Sequence, residues 1–192
     1  MSDTILVTGA SGKLGRAVIN HLLDSQKVAP ARIVAGTRNP ENIADIAARG
    51  VAVRKVDFDD AAGLEAAFAG VGTVLVISTD ALDGAGTRLR QHRAAVEAAK
   101  KAGVGRIAYT SLPQPEVSKV SFAPDHLGTE QAIAATGLPY LIFRNSWYLE
   151  NLLMSLPTAL KSGQWFTSEG DGRTAYVARD DIAAAIAGAL AN

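Results

Sequence analysis

The strongest constraint on the fold is the stretch Thr4-Ile-Leu-Val-Thr-Gly-Ala-Ser-Gly-Lys-Leu-Gly-Arg-Ala-Val-Ile-Asn-His-Leu-Leu23. A short apolar run over 5–8 reads as a strand, and residues 13–24 carry helical spacing. Glycines at 9, 12 and 15 lie where the two join. A strand that turns tightly into a helix gathers the first amides of that helix and points them outward. Such amides suit an anion, and the pyrophosphate of a dinucleotide fits this context best. The spacing Gly-x-x-Gly-x-x-Gly departs by one residue from Gly-x-Gly-x-x-Gly, and a glycine triplet alone is weak evidence. The strand before it and the helix after it supply the required context. Gly9 can take the tight turn, Gly12 lets the backbone approach phosphate, and Gly15 lets the helix pack on the strand. Ser11 and Lys13 add hydrogen bonds or charge, and Ala10 and Leu14 complete the expected cofactor-binding stretch 9–15. A magnesium-binding P-loop is disfavoured, because Leu14 stands where Ser or Thr is needed. The bland alternative is a turn that only packs.

The rest of the chain repeats the strand–helix unit. Strand-like runs fall at 5–8, 33–35, 51–56, 74–77, 107–110 and 140–143, several of them nearly continuous Val, Ile and Leu. That pattern suits strands covered on both faces. Helical candidates fall between them at 13–24, 40–49, 60–69, 86–102 and 125–136. The spacing of Arg93, Glu97 and Lys101 places them on one solvated face. The order predicts right-handed crossovers and an α/β fold. We expect a Rossmann-type, doubly wound parallel sheet in three α/β/α layers, forming one NAD(P)-binding domain over 1–192. Two stretches break the rhythm. Residues 112–124 hold three prolines and read as a loop. Residues 147–171, with both tryptophans, read as a helix-and-loop insertion on the substrate side. A strand over 174–177 and an Ala-rich helix over 180–190 follow.

Composition excludes several classes of function. Apolar residues make up 48% of 192, enough for a substantial core. Lys plus Arg equals Asp plus Glu at 19 each, so nothing steers the chain to nucleic acid or an anionic membrane. There is no cysteine, which removes disulfides, thiolate catalysis and cysteine metal sites, and no metal is called for. With a strand beginning by residue 4 and no apolar run near about 18 residues, the expectation is a cytoplasmic protein without a signal peptide or membrane span.

The second strand bears on which dinucleotide binds. An acidic residue at its end would accept from the ribose 2′-hydroxyl of NAD. The chain reads Val34-Ala-Gly-Thr-Arg38-Asn39-Pro40 there, with no carboxylate before Glu41. Arg38 can hold a 2′-phosphate through its planar fork, which points to NADP(H). The alternative is an exposed surface arginine. The third strand ends at Asp57 and Phe58, an acceptor for the adenine amino group and a flank for its ring. Asp59 or Asp60 then caps the next helix. Ser78 and Thr79 end the fourth strand with side chains small enough for the cofactor to pass.

In these blocks the chain resembles the NmrA-like branch of the atypical short-chain dehydrogenase/reductases, in particular its quinone- and triphenylmethane-reducing members. The matching blocks are Thr8-Gly-Ala-Ser-Gly-Lys-Leu-Gly15, Arg38-Asn39-Pro40, Asp57-Phe58, Gln91-His92, Ala108-Tyr-Thr-Ser-Leu112, His126-Leu-Gly-Thr-Glu130 and Arg144-Asn-Ser-Trp-Tyr-Leu-Glu-Asn151. The resemblance implies NADP binding by Gly9–Gly15, Arg38, Ser78 and Thr79. It places 144–148 against the nicotinamide, with Asn145 as a polar handle on carboxamide or substrate. Trp147 and Tyr148 would then offer flat surface to a planar acceptor. For Asn145 the alternative is a cap on a helix over 147–155, and for the two aromatics it is core packing.

Two departures from the family matter. Its superfamily uses Tyr-x-x-x-Lys as proton donor, and here the corresponding positions read His126-x-x-x-Glu130. Glu130 would share a helix face with His126 and orient it. His126 and Tyr148 are therefore the candidates for catalysis, with a surface pair as the alternative for the histidine. The superfamily serine falls near Leu112, with Ser111 adjacent. Relatives also continue beyond the last helix, so the C-terminal substrate-side segment is shortened or missing. Apolar surface left there would favour a homo-oligomer. The expected function is NADPH-dependent hydride transfer to a quinone or similar planar acceptor. The alternatives are a non-catalytic NADP-binding redox sensor and a sugar epimerase, which lacks its tyrosine and lysine.

Overall fold

A computed structural model of the chain describes residues 3–167 and 170–192. Ser168 and Glu169, within the expected 147–171 insertion, lie outside the described residues. Six parallel strands form the main sheet: β1 (Ile5–Val7), β2 (Ile33–Thr37), β3 (Ala52–Lys55), β4 (Thr73–Val76), β5 (Arg106–Ser111) and β6 (Tyr140–Arg144). Their order in space is β3-β2-β1-β4-β5-β6. The chain therefore reverses direction across the sheet between β1 and β4, and a crevice opens there at the carboxyl ends.

Alternation along each strand explains the two cores. Ile5 and Val7 enter one cluster with Leu14, Val18, Ile19 and Leu22 of α1 (Lys13–Asp24) and Ile182 and Ile186 of the last helix. Leu6 enters the other with Leu64 and Phe68 of α3 (Ala61–Phe68), Val96 of α4 (Thr87–Lys101) and Ile133 of α5 (Ala123–Ala134). A strand covered on both faces has no polar side to show, which is why β1 reads as an unbroken apolar run. No residue of the edge strands β3 and β6 is fully buried.

Several boundaries differ from expectation. The 40–49 helix is a 3-10 turn, Pro40–Ile43, followed by one turn of α2 (Ala44–Ala47). Helix α5 starts two residues early because Pro124, read as loop, sits in its first turn, where its missing N–H costs nothing. The insertion opens as a strand, β7 (Trp147–Tyr148), which pairs in parallel with β8 (Tyr176–Val177) in a separate two-stranded sheet. The helix considered over 147–155 is therefore absent, and Asn145 caps nothing. A 3-10 segment, Leu149–Met154, and α6 (Leu156–Ser162) follow β7. Helix α7 (Arg179–Ala191) lies along α1, and Glu150 accepts from the backbone of Arg179 at 3.0 and 3.1 Å to tie the insertion to its start. Among the described residues no helix is long and apolar enough to cross a membrane.

Candidate functional site

The glycine turn is built by sterics. Gly9 has φ +61°, in the left-handed region, and its carbonyl accepts from the Gly12 amide at 2.9 Å. A Cβ at Gly15 would lie 2.3 Å from the Gly9 oxygen and 2.8 Å from its carbonyl carbon. Only glycine lets α1 start this close to the turn. Gly12 caps α1 without any side-chain hydrogen bond, and the first turn holds no acidic residue. By contrast Asp60 caps α3 conventionally, accepting from Gly63 N at 3.0 Å. A cap of that kind is worth about 1 kcal/mol. Helix α1 forgoes it, and its leading amides remain for an anion.

Around this turn lies a cleft of about 350 Å³ lined by Gly9, Ser11, Gly12, Thr37, Arg38, Val56, Asp57, Phe58, Ile77, Ser78, Thr79, Asp80, Ala81 and Gln91. The structure thus brings together eight of the expected residues, from four loops. Ala10, Leu14 and Gly15 are buried beneath the turn instead of lining the cleft, and Lys13 is exposed and does not line it either. Thr37, Val56, Ile77, Asp80, Ala81 and Gln91 escaped the reading of the sequence. Val56 and Ile77 are the last residues of apolar runs, which marks a strand end but not a cleft. Gln91 stood in a matching block.

Polar groups in the cleft are incompletely satisfied. Thr79 Oγ1 and Gln91 Oε1 are buried with no hydrogen-bond partner. Asp57 accepts from the Asp59 amide at 3.1 Å. Asp59 holds Arg90 at 2.7 Å and Gln91 at 2.9 Å, and these bonds keep its carboxyl below the usual carboxylate range. The Arg38 side chain is exposed and makes no hydrogen bond or ion pair among the described residues; its charge reaches Asp59 only through space. A planar donor fork without a carboxylate, at the end of β2, suits a phosphate.

The floor of the cleft is held from below. Thr8 Oγ1 accepts from Ile77 N, Thr110 Oγ1 from Ser78 N, and His92 Nε2 from Thr79 N, at 2.9, 2.9 and 3.0 Å. His92 Nδ1 meets Thr129 Oγ1 at 2.9 Å, Tyr109 meets His126 Nδ1 at 2.7 Å, and Arg88 Nη2 meets His126 Nε2 at 3.2 Å. The donors assign the protons. Both Nε2 atoms receive N–H groups, so both imidazoles carry their hydrogen on Nδ1. Burial, reinforced by the Arg88 charge, holds His92 down to about 3 and His126 to about 4. Burial likewise pushes the Tyr109 phenol up.

His126 and Glu130 are therefore not the expected pair. His126 is 4% exposed and faces Tyr109 and Arg88. Glu130 faces the other way, accepting from Ser111 Oγ at 2.5 Å and from Arg144 at 2.6 and 3.1 Å. Residues four apart share a helix face, but His126 meets Tyr109 of β5 and Arg88 of α4, whereas Glu130 meets Ser111 further along β5 and Arg144 of β6. Asn145, Trp147 and Tyr148 lie beyond β6, outside the cleft. Asn145 Nδ2 is buried without a well-formed hydrogen bond, and its side chain lies toward the Tyr148 phenol. The Arg179 guanidinium stacks on the Tyr148 ring at 4.9 Å, and burial pushes the Tyr148 phenol up. Trp147 is 45% exposed, so it is not a core residue.

A family model described as NAD(P)H-binding matches residues 9–192. Quinone oxidoreductase 2 of Escherichia coli (strain K12) is 44% identical over 184 residues, 95% of this chain and 62% of that enzyme. The crystal structure of Citrobacter sp. triphenylmethane reductase complexed with NADP(H) superposes with a TM-score of 0.93 at 39% identity, covering 98% of this chain and 66% of that one. The NADPH complex of an NADPH-dependent quinone oxidoreductase from Escherichia coli gives 0.91 at 42% identity, covering 97% and 64%. The chain thus spans a little under two thirds of the length of these relatives.

Proposed function

The chain belongs to the NAD(P)H-binding family, and from that premise we propose that it is an NADPH-dependent reductase of quinones or similar planar conjugated acceptors. The observation that carries this reading is the Arg38 fork, unengaged at the rim of the cleft where an NAD site places a carboxylate. The relatives named above supply the acceptor class. When bound, the reduced nicotinamide supplies hydride.

The chain's own residues divide the work. The amides at the head of α1 left free by the turn receive the pyrophosphate, Arg38 the 2′-phosphate, and Asp57 with Phe58 the adenine, while the Ala10 and Gly12 amides shape the turn by bonding the Gly36 and Gly9 carbonyls. Gln91 Oε1 and Thr79 Oγ1, which lack partners, complete the cradle. Ser78 and Thr79 lie along the cofactor's course, held by Thr110 and His92. Asn145 Nδ2 offers a donor to the carboxamide or the substrate, and Tyr148 and Trp147 offer flat surface to the acceptor. With His126 and Glu130 both engaged elsewhere, the chain has no Tyr–Lys relay. A conjugated acceptor tolerates this, because its second proton can come from water and positioning does most of the catalysis.

The same missing relay favours a second reading, a non-catalytic NADP-binding sensor. One experiment separates the two: purified chain is titrated with NADPH and NADH, then a benzoquinone is added and NADPH absorbance is followed. Tight NADPH binding with acceptor-dependent oxidation supports the reductase. Binding without turnover replaces it with the sensor, and a preference for NADH removes the role given to Arg38.

A further inference from the structure

Gln91 lines the cleft with one half of its amide committed and the other half empty. It lies in the second turn of α4. Its Nε2 donates to Asp59 Oδ2 at 2.9 Å, and the other oxygen of that carboxylate takes Arg90 Nη1 at 2.7 Å. A carboxylate only accepts, so the amide nitrogen must face Asp59. Turning the amide over would set oxygen against oxygen. Oε1 is therefore turned away from Asp59 and is the atom of this side chain left to meet a ligand. It is buried, and no described residue donates to it. A buried carbonyl oxygen without a donor has lost its hydration and gained nothing, a cost that a ligand donor removes.

Asp59 joins Gln91 to the end of β3. Its amide donates to Asp57 Oδ1 at 3.1 Å while its carboxylate holds Gln91, so one residue ties the two cleft residues together. Asp57 Oδ2 accepts no hydrogen bond among the described residues. This end of the cleft thus presents two open acceptors, Asp57 Oδ2 and Gln91 Oε1, beside the Phe58 ring. An exocyclic amino group brings two N–H donors, a hydroxyl only one, and an oxo group none. We propose that Gln91 is a specificity-determining residue that reads the base of the dinucleotide: Gln91 Oε1 and Asp57 Oδ2 take the two N–H groups of the adenine 6-amino group. Asp59 is the positioning residue that fixes which way the Gln91 amide points. This rests on the dinucleotide reading above, which gives the adenine to Asp57 and Phe58. Hypoxanthine carries an oxygen in place of the amino group, so at least one acceptor of the chain meets an acceptor of the base, and the base is rejected.

The test is binding, not turnover. Purified chain is titrated with NADPH and with its hypoxanthine analogue, reduced nicotinamide hypoxanthine dinucleotide phosphate. The two share the nicotinamide, the pyrophosphate and the 2′-phosphate, so their ratio reports the base alone. The unmodified chain is expected to bind NADPH about tenfold or more tightly than the analogue. Gln91→Met keeps the length of the side chain and removes the acceptor. It is expected to weaken NADPH about fivefold and to leave the analogue unchanged, so the ratio narrows. In Asp59→Asn the amide is free to turn over, because asparagine both donates and accepts, and the analogue should gain about threefold on NADPH. Asp60, not Asp59, caps α3, and Asp59 is half-exposed, so this variant keeps the fold. Equal affinity of the unmodified chain for the two dinucleotides overturns the proposal without any variant. A parallel loss of both by Gln91→Met also overturns it, since a residue that only shapes the cleft would act in that way. An unchanged ratio in Asp59→Asn removes the positioning role. Binding of neither dinucleotide overturns the dinucleotide reading and this proposal with it, whereas binding without discrimination overturns this proposal and leaves that reading standing.

Discussion

The two ends of the sheet's carboxyl edge are built on different principles. Between β1 and β4 the backbone sets the geometry: Gly9 turns, Gly15 admits the helix, and buried threonine and histidine side chains hold the β4 loop at 2.9–3.0 Å. Beyond β6 the structure rests on exposed contacts. Arg144 clasps Glu116 and Glu130, and Ser146 bonds the Ala175 carbonyl. Apolar side chains there face water, with Met154 at 80%, Leu160 at 77% and Phe166 at 73% exposure. One region is a cleft whose floor is fixed by buried hydrogen bonds. The other is a scaffold whose apolar face has no cover among the described residues. A chain that covers 62% of its quinone-reducing relative still carries the whole glycine-turn cleft.

Acid should break the first region before the second. His92 and His126 are held below their ordinary 6.5, to about 3 and about 4, so the folded state keeps them neutral while the unfolded chain protonates. Their stabilisation is fully present above pH 6.5 and falls as pH drops toward those values. Each contributes about 3 kcal/mol of loss between pH 6.5 and 4. Urea midpoints across that range check this, and in His92→Gln the pH dependence should fall by about half. A flat profile would mean the network is open to solvent.

Gly15→Ala comes next. Its Cβ meets backbone at 2.3 Å, so either the turn or α1 must move, at about 3 kcal/mol. Calorimetric unfolding should show the loss, and NADPH binding should vanish with it. Arg38→Ala is more selective: NADPH should weaken by roughly 1.5–3 kcal/mol while NADH barely changes, by titration. Equal loss for both would return Arg38 to the surface. The smallest effect is expected in the second region, where Met154→Ser should shift stability by no more than about 0.5 kcal/mol and leave NADPH affinity intact. A large effect there would show that the apolar face supports the cleft.

The same contrast explains what the sequence revealed. The glycine turn, the doubly wound parallel sheet and the place of Arg38 at the end of β2 were legible because each depends on neighbours a few residues away or on the repeated strand–helix rhythm. Asp57, Phe58, Ser78 and Thr79 were found by the same rule, that strand ends meet at the crevice. Gln91 and Asp80 were missed because they reach the cleft from a helix and a loop that carry no periodic signal for it. The His126–Glu130 relation was misread for a related reason. Their spacing is helical, but their partners, Tyr109, Arg88, Ser111 and Arg144, lie between 14 and 38 residues away. Arg88 was invisible, since an arginine in a polar helical pattern reads as surface until its burial is known. Residues 147–148 became strand because β8, a distant segment, pairs with them.

The cleft is proposed to be a dinucleotide site selective for the 2′-phosphate. Calorimetric titration of the purified chain with NADPH and with NADH tests that claim most directly. It predicts one site per chain and NADPH binding tighter by about tenfold or more. Equal affinity for the two, or a preference for NADH, would contradict it.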